Sequence, residues 1–183
     1  MTAAETKFPN PPASKPSWLS LAQAVFNRQA GRWDNQHCGG GLRWQFNFIN
    51  PGYMDKNAIS NGCFFQLAAR LARYTKNDTY AQWANRAFDW MDSSPLISKK
   101  WEVFDSLAFT EQACATEPGP VQWTYNIGTM IAGSAFVRFL SPYKTFLIHV
   151  DVQLHQRRPK METTTRWIPP KYSNRLLPRR IWR

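Results

Sequence analysis

The chain has 183 residues, 43% of them hydrophobic and 15% aromatic, enough apolar material for one domain with a sizeable core. Its formal net charge is +11, yet residues 1–140 hold 13 basic against 10 acidic side chains, whereas residues 141–183 hold 10 basic ones against Asp151 and Glu162. The basic character belongs to the tail, so no nucleic-acid partner is expected for residues 1–140; a contact with nucleic acid or an anionic surface would fall to the arginines after Leu140.

Pro9, Pro11 and Pro12 make an extended lead-in, and Pro16 or Ser17 starts a helix in which Leu19, Ala22, Phe26, Ala30 and Trp33 recur on one face. Cys38-Gly39-Gly40-Gly41 then reads as a turn, because glycine tolerates positive φ. From Leu42 to Ile49 the alternation is close to period two and predicts a short strand or hairpin arm, closed by Asn50-Pro51-Gly52. The next helix places Ile59, Cys63, Leu67 and Leu71 at i, i+4 spacing, with Phe64 and Ala68 beside them and Gln66, Arg70 and Arg73 facing away. Asn77 or Asp78 caps a further helix with a Tyr80, Trp83, Ala84, Ala87, Met91 stripe, which Ser93-Ser94-Pro95 ends. Leu96 to Pro120 reads as a long connection holding a short strand at Trp101–Phe104. Val121 to Leu140 is apolar nearly all round and predicts a helix packed on every side. After Ser141-Pro142 prolines and arginines recur without any period, and disorder is expected.

Cys38, Cys63 and Cys114 form no Cys-x-x-Cys or Cys/His pattern, so neither a metal site nor a cofactor is expected. Two readings stay open: three buried thiols, or one disulfide with one thiol left free. His37, His149 and His155 have no nucleophile partner at a recognisable spacing, and the triple glycine lacks the Lys-Ser/Thr ending of a phosphate loop. Met1 to Lys7 lacks the basic and apolar regions of a signal peptide. The most apolar run, Ile127 to Leu140, is shorter than the roughly 18–20 residues that span a bilayer.

Two motifs stand out: Cys38-Gly39-Gly40-Gly41-Leu42-Arg43-Trp44-Gln45, and Asn57-Ala58-Ile59-Ser60-Asn61-Gly62-Cys63-Phe64-Phe65. With Asn77 to Ala84 and Gln122-Trp123-Thr124-Tyr125-Asn126, they resemble the fungal α-1,6-mannanases of glycoside hydrolase family 76, of the defective cell wall and filamentous growth type. The resemblance runs from Ala4 to about Phe139. It implies an all-α fold, namely part of an (α/α)6 barrel or toroid, with the short β-hairpin arm and the disordered C-terminal tail added by the pattern above. Residues 1–140 are then a partial barrel domain and residues 141–183 a basic, proline-rich tail. A partial barrel leaves apolar faces without partners. The resemblance also implies action on α-1,6-mannan or a related cell-wall glycan, secretion or a cell-surface place for the relatives, and one disulfide.

Retaining hydrolysis of a mannoside needs two carboxyl groups about 5 Å apart. The family's acid pair is an adjacent Asp-Asp, and no such dipeptide occurs in this sequence. No catalytic residue is therefore assigned. The chain reads as a truncated mannan endo-1,6-α-mannosidase inactive alone, with a non-catalytic glycan-binding or cell-wall interaction module as the alternative. Asp89 and Asp92 fit a solvated helix face. Asp105 stands where relatives carry a Tyr-Asp-Gly-like motif and is a candidate for the cleft. The other candidates are Trp44 and Trp123, which can stack on a sugar face, and Gln45, Asn57, Asn61, Gln122 and Asn126, which can hydrogen-bond hydroxyls. Against this, Trp44 and Trp123 also suit a core, and Asn57, Ser60 and Asn61 also suit a helix cap.

Overall fold

The computed structural model describes residues 1–6 and 8–137; the tail expected to be disordered lies outside the described residues. The elements in chain order are helices α1 (Thr2–Glu5) and α2 (Trp18–Ala30), strand β1 (Asp55–Asn57), helices α3 (Ala58–Thr75) and α4 (Asp78–Ser93), strand β2 (Ser106–Ala108) and helix α5 (Thr124–Val137). The fold is helical with one two-stranded sheet.

Helices α2, α3 and α4 each begin where a side chain can satisfy an orphan N–H. Ser17 Oγ accepts from the Ser20 N–H at 3.1 Å, Asn57 Oδ1 from that of Ser60 at 3.2 Å and Asn77 Oδ1 from that of Thr79 at 2.9 Å. Lys76, left-handed at φ 57°, ends α3 and turns the chain into α4.

The α3 helix is the centre of the molecule, with α4 and α5 packed on it and α2 beside them. It buries Ala58, Asn61, Gly62, Phe64, Phe65, Ala68, Ala69, Leu71 and Ala72. Of the face predicted above, Phe64, Ala68 and Leu71 are buried, but the surface is wider and rotated: Cys63 is exposed, and Ile59 and Leu67 are only partly buried. The reason is that small side chains, not large ones, decide how close two neighbours can come. A Cβ on Gly133 of α5 would lie 2.4 Å from the Phe65 ring, and one on Gly62 would lie 2.3 Å from Thr129 Oγ1. On the other side the core is aromatic. Phe26 stacks on Phe64 at 5.4 Å and meets Tyr80 edge-on at 4.7 Å, while Trp33 meets Trp90 edge-on at 6.1 Å.

Three further expectations are corrected. Leu42 to Ile49 is not a strand: it makes one isolated bridge, Arg43 with Lys56, and Phe46, Phe48 and Ile49 are exposed. Asn47 redirects the backbone there, its Oδ1 accepting from the Ile49 N–H and its carbonyl from the Asn50 N–H, so no ladder can run through it. The sheet is also no hairpin, since β1 and β2 are joined through α3 and α4; they pair antiparallel as Asp55 with Ala108, Lys56 with Leu107 and Asn57 with Ser106. The strand expected at Trp101–Phe104 is reduced to a bridge between Ile97 and Val103, and the true strand follows it. Finally, α5 is buried along Asn126, Met130, Gly133, Ser134 and Val137 but not on every side. Tyr125, Gly128 and Ala135 are exposed, because among the described residues α3 is its main neighbour.

No helix of the described residues is long and apolar enough to cross a membrane.

Candidate functional site

The loop from Asp34 to Arg43 is wrapped around one buried amine. Lys56 is 0% exposed, and its Nζ donates to the carbonyls of His37 at 2.5 Å, Asp34 at 3.4 Å and Gly40. It also lies 3.5 Å from Asp34 Oδ2. An ammonium with three donors can gather carbonyls that a turn this tight leaves short of N–H partners; that of His37 also accepts from the Gly40 N–H at 3.2 Å. The turn itself needs positive φ from Cys38 through Gly41. At Gly41 (φ +91°) a side chain would also strike the Trp90 ring at 2.5 Å. Two anchors hold the loop down: the Cys38–Cys114 disulfide, and the Trp90 Nε1–H bonded to the Cys38 carbonyl at 2.8 Å. The cysteines thus resolve into one pair and a free Cys63.

Asp34 balances the charge. It accepts from Arg43 Nε at 3.0 Å and from the N–H groups of Gln36 and His37, and its Oδ2 lies 3.1 Å from His37 Nδ1. Burial by itself would raise this carboxyl, but the His37 hydrogen bond, the Lys56 and Arg43 charges and the Gln36 N–H outweigh it and lower the pKa to about 2. Burial dominates at Lys56 and brings the amine down to about 8, against the opposing pull of Asp34. Arg43 is clamped between the Tyr53 and Phe109 rings, 4.2 and 4.8 Å from their centroids.

Beyond Arg43 the chain rims a hollow of about 550 Å³, lined among others by Arg32, Trp44, Gln45, Tyr53, Ser60 and Cys63. Trp44 is 51% exposed and its indole rests against Gly52. A Cβ at Gly52 would be 2.2 Å from the indole, so only glycine lets the ring rest there. Gln45 accepts from Asn50 Nδ2 at 3.3 Å. Indole, amide, hydroxyl and guanidinium on one wall suit a polyhydroxylated ligand.

The remaining predicted residues are elsewhere. Asn61 is fully buried, its Oδ1 accepting from the Leu42 N–H at 2.7 Å and its Nδ2 donating to the Leu42 and Asn57 carbonyls. It fastens the Leu42 arm to α3 and has no surface to offer a ligand. Asn57 is 5% exposed and caps α3. Asp105, Gln122, Trp123 and Asn126 gather at the start of α5. Asn126 Nδ2 donates to Asp105 Oδ1 at 2.9 Å, while the Asp105 carbonyl accepts from the Ala58 N–H. Trp123 stacks on Tyr125 at 6.1 Å, and Gln122 is exposed. Of the predicted residues, then, Trp44 and Gln45 share the hollow, and the Asp105 cluster, bonded to the first residue of α3, is a second group outside its lining. Sequence reasoning missed Asp34, Lys56, Arg43 and Tyr53. A lysine or arginine in a polar stretch reads as solvated, and nothing local tells otherwise.

The model of glycosyl hydrolase family 76 matches residues 1–150. The mannan endo-1,6-alpha-mannosidase of Candida glabrata is 52% identical over 139 residues, covering 75% of this chain and 31% of its own length. That of Saccharomyces cerevisiae is 51% identical over 140 residues, covering 75% and 30%. The crystal structure of Dfg5 from Chaetomium thermophilum in complex with glucosamine superposes with a TM-score of 0.74 at 47% identity, covering 81% of this chain and 36% of that one. The chain thus spans about 30% of the length of the curated relatives it matches. By its matched residues and by the helices that carry them, the chain belongs to glycosyl hydrolase family 76.

Proposed function

We propose that this chain supplies one wall of an α-1,6-mannan cleft within a family 76 (α/α)6 barrel, and that by itself it binds this glycan without cleaving it. The observation that carries the reading is the half-exposed Trp44 indole, resting against Gly52 and lining one hollow with Gln45, Ser60 and Arg32. Relatives at about 50% identity are mannan endo-1,6-alpha-mannosidases, which favours α-1,6-mannan as the ligand. Two carboxylates about 5 Å apart are what retaining hydrolysis requires. None of the hollow's lining residues is acidic, Asp34 is engaged by Arg43 and Lys56, and the sequence holds no Asp-Asp dipeptide.

The test uses the purified full chain in affinity electrophoresis with α-1,6-mannan, alongside a search for released mannose oligomers. Retardation is expected. Trp44→Ala should weaken it about tenfold, the loss of one good aromatic stacking contact, with no oligomers released in either case. A folded chain that migrates freely through mannan would remove the binding half of the proposal, and oligomer release would remove the other.

A further inference from the structure

We propose that Asn77 is an N-glycosylation site. Asn77-Asp78-Thr79 is the single Asn-x-Ser/Thr triplet with x other than proline in the 183 residues, the acceptor pattern for an N-linked oligosaccharide in a surface loop. The structure puts it where such a modification fits. Lys76 and Asn77 form the turn between α3 and α4, and residues 76–79 are all exposed. Asn77 caps α4 through Oδ1, which accepts from the Thr79 N–H at 2.9 Å. The amide nitrogen takes no part in that bond, so a sugar on Nδ2 and the helix cap are compatible.

Two further observations agree. The Cys38–Cys114 disulfide belongs to an oxidising compartment such as the secretory lumen, where N-glycans are also added. The hollow is bordered by Ile59, Ser60 and Cys63 in the first turns of α3, and Asn77 follows the other end of that helix. Cys63, the lining residue farthest along α3, is 12 residues from its last residue Thr75, ~18 Å at 1.5 Å per residue, so the attachment point lies away from the hollow's rim. The co-reactant is a lipid-pyrophosphate-linked oligosaccharide. Its anomeric C1–O bond to phosphate breaks, C1 bonds to Asn77 Nδ2, the amide gives up one proton, and the lipid pyrophosphate departs with the electron pair.

To test this, the full chain is directed into the lumen of a yeast secretory pathway, and the disulfide-bonded protein is recovered from both lumen and medium. Intact mass and peptide mapping follow, before and after enzymatic release of N-glycans. One glycan is expected, on the peptide carrying Asn77, lost in Asn77→Gln and in Thr79→Ala and kept in Thr79→Ser. Thr79→Ala leaves the Asn77 cap in place, which separates loss of the acceptor from loss of the fold. Disulfide-bonded chain with a bare Asn77, or a Thr79→Ala chain still glycosylated there, overturns the proposal.

Discussion

Lys56 shows how much one side chain can organise. Its ammonium joins the carbonyls of Asp34, His37 and Gly40 to the Asp34 carboxylate in a site closed to solvent. Removing it leaves the Asp34 carboxylate with Arg43 and His37 but takes the ammonium donor from three carbonyls in a closed site, at about 1–3 kcal/mol for each group left unsatisfied. Lys56→Met should therefore lower stability by about 3 kcal/mol in chemical denaturation, and a change under about 1 kcal/mol would show that the loop closes without it. Asp34 predicts an acid response. Its folded pKa is about 2, below the ordinary 3.8, so its contribution of about 2 kcal/mol is complete above the unfolded value and is lost as pH falls from about 4 towards 2. Asp34→Asn should flatten that limb of the stability profile. At Lys56 the sign differs: a folded value near 8 against 10.5 means the unfolded chain holds more protons between those values, so this group's unfavourable contribution shrinks as pH rises through that window.

At the scale of elements, the contact between α3 and α5 depends on two glycines facing a phenyl ring and a threonine. Gly133→Val would press a branched side chain into Phe65 and force the helices apart, at about 1–3 kcal/mol of overpacking strain. The expected readout is a lower thermal midpoint together with faster amide exchange along α5; unchanged protection in α5 would mean that the helix is held by something other than α3. The same elements show where sequence patterns succeed. The caps at Ser17, Asn57 and Asn77 and the α4 stripe from Tyr80 to Met91 were legible, because they depend on neighbours within one or two turns. The buried face of α3 was legible only in part: Phe64, Ala68 and Leu71 are buried as expected, whereas Cys63 is exposed and Ile59 and Leu67 are half-buried. Its orientation follows from two helices approaching from different sides over alanine and glycine, and hydrophobicity along a single helix does not record that.

At the scale of the molecule, the disulfide ties the glycine loop to the segment after β2 across 76 residues of sequence. A cross-link over so long a loop is worth about 4 kcal/mol through restriction of the unfolded chain. Reduction, or paired Cys38→Ser and Cys114→Ser changes, should lower stability by that order, while Cys63→Ser, at an exposed free thiol, should leave it nearly unchanged. Equal effects from both would argue against the Cys38–Cys114 pairing.

The sequence by itself determined the starts of α2, α3 and α4, the glycine turn and the family resemblance, since each is written in residues close together along the chain. Only the tertiary structure decided which cysteines join, that Asn61 is a fastening and Trp44 a surface, and that a lysine forms the centre of the loop. Those outcomes depend on which distant groups meet out of water, where an unpaired charge or amide is costly enough to select one arrangement.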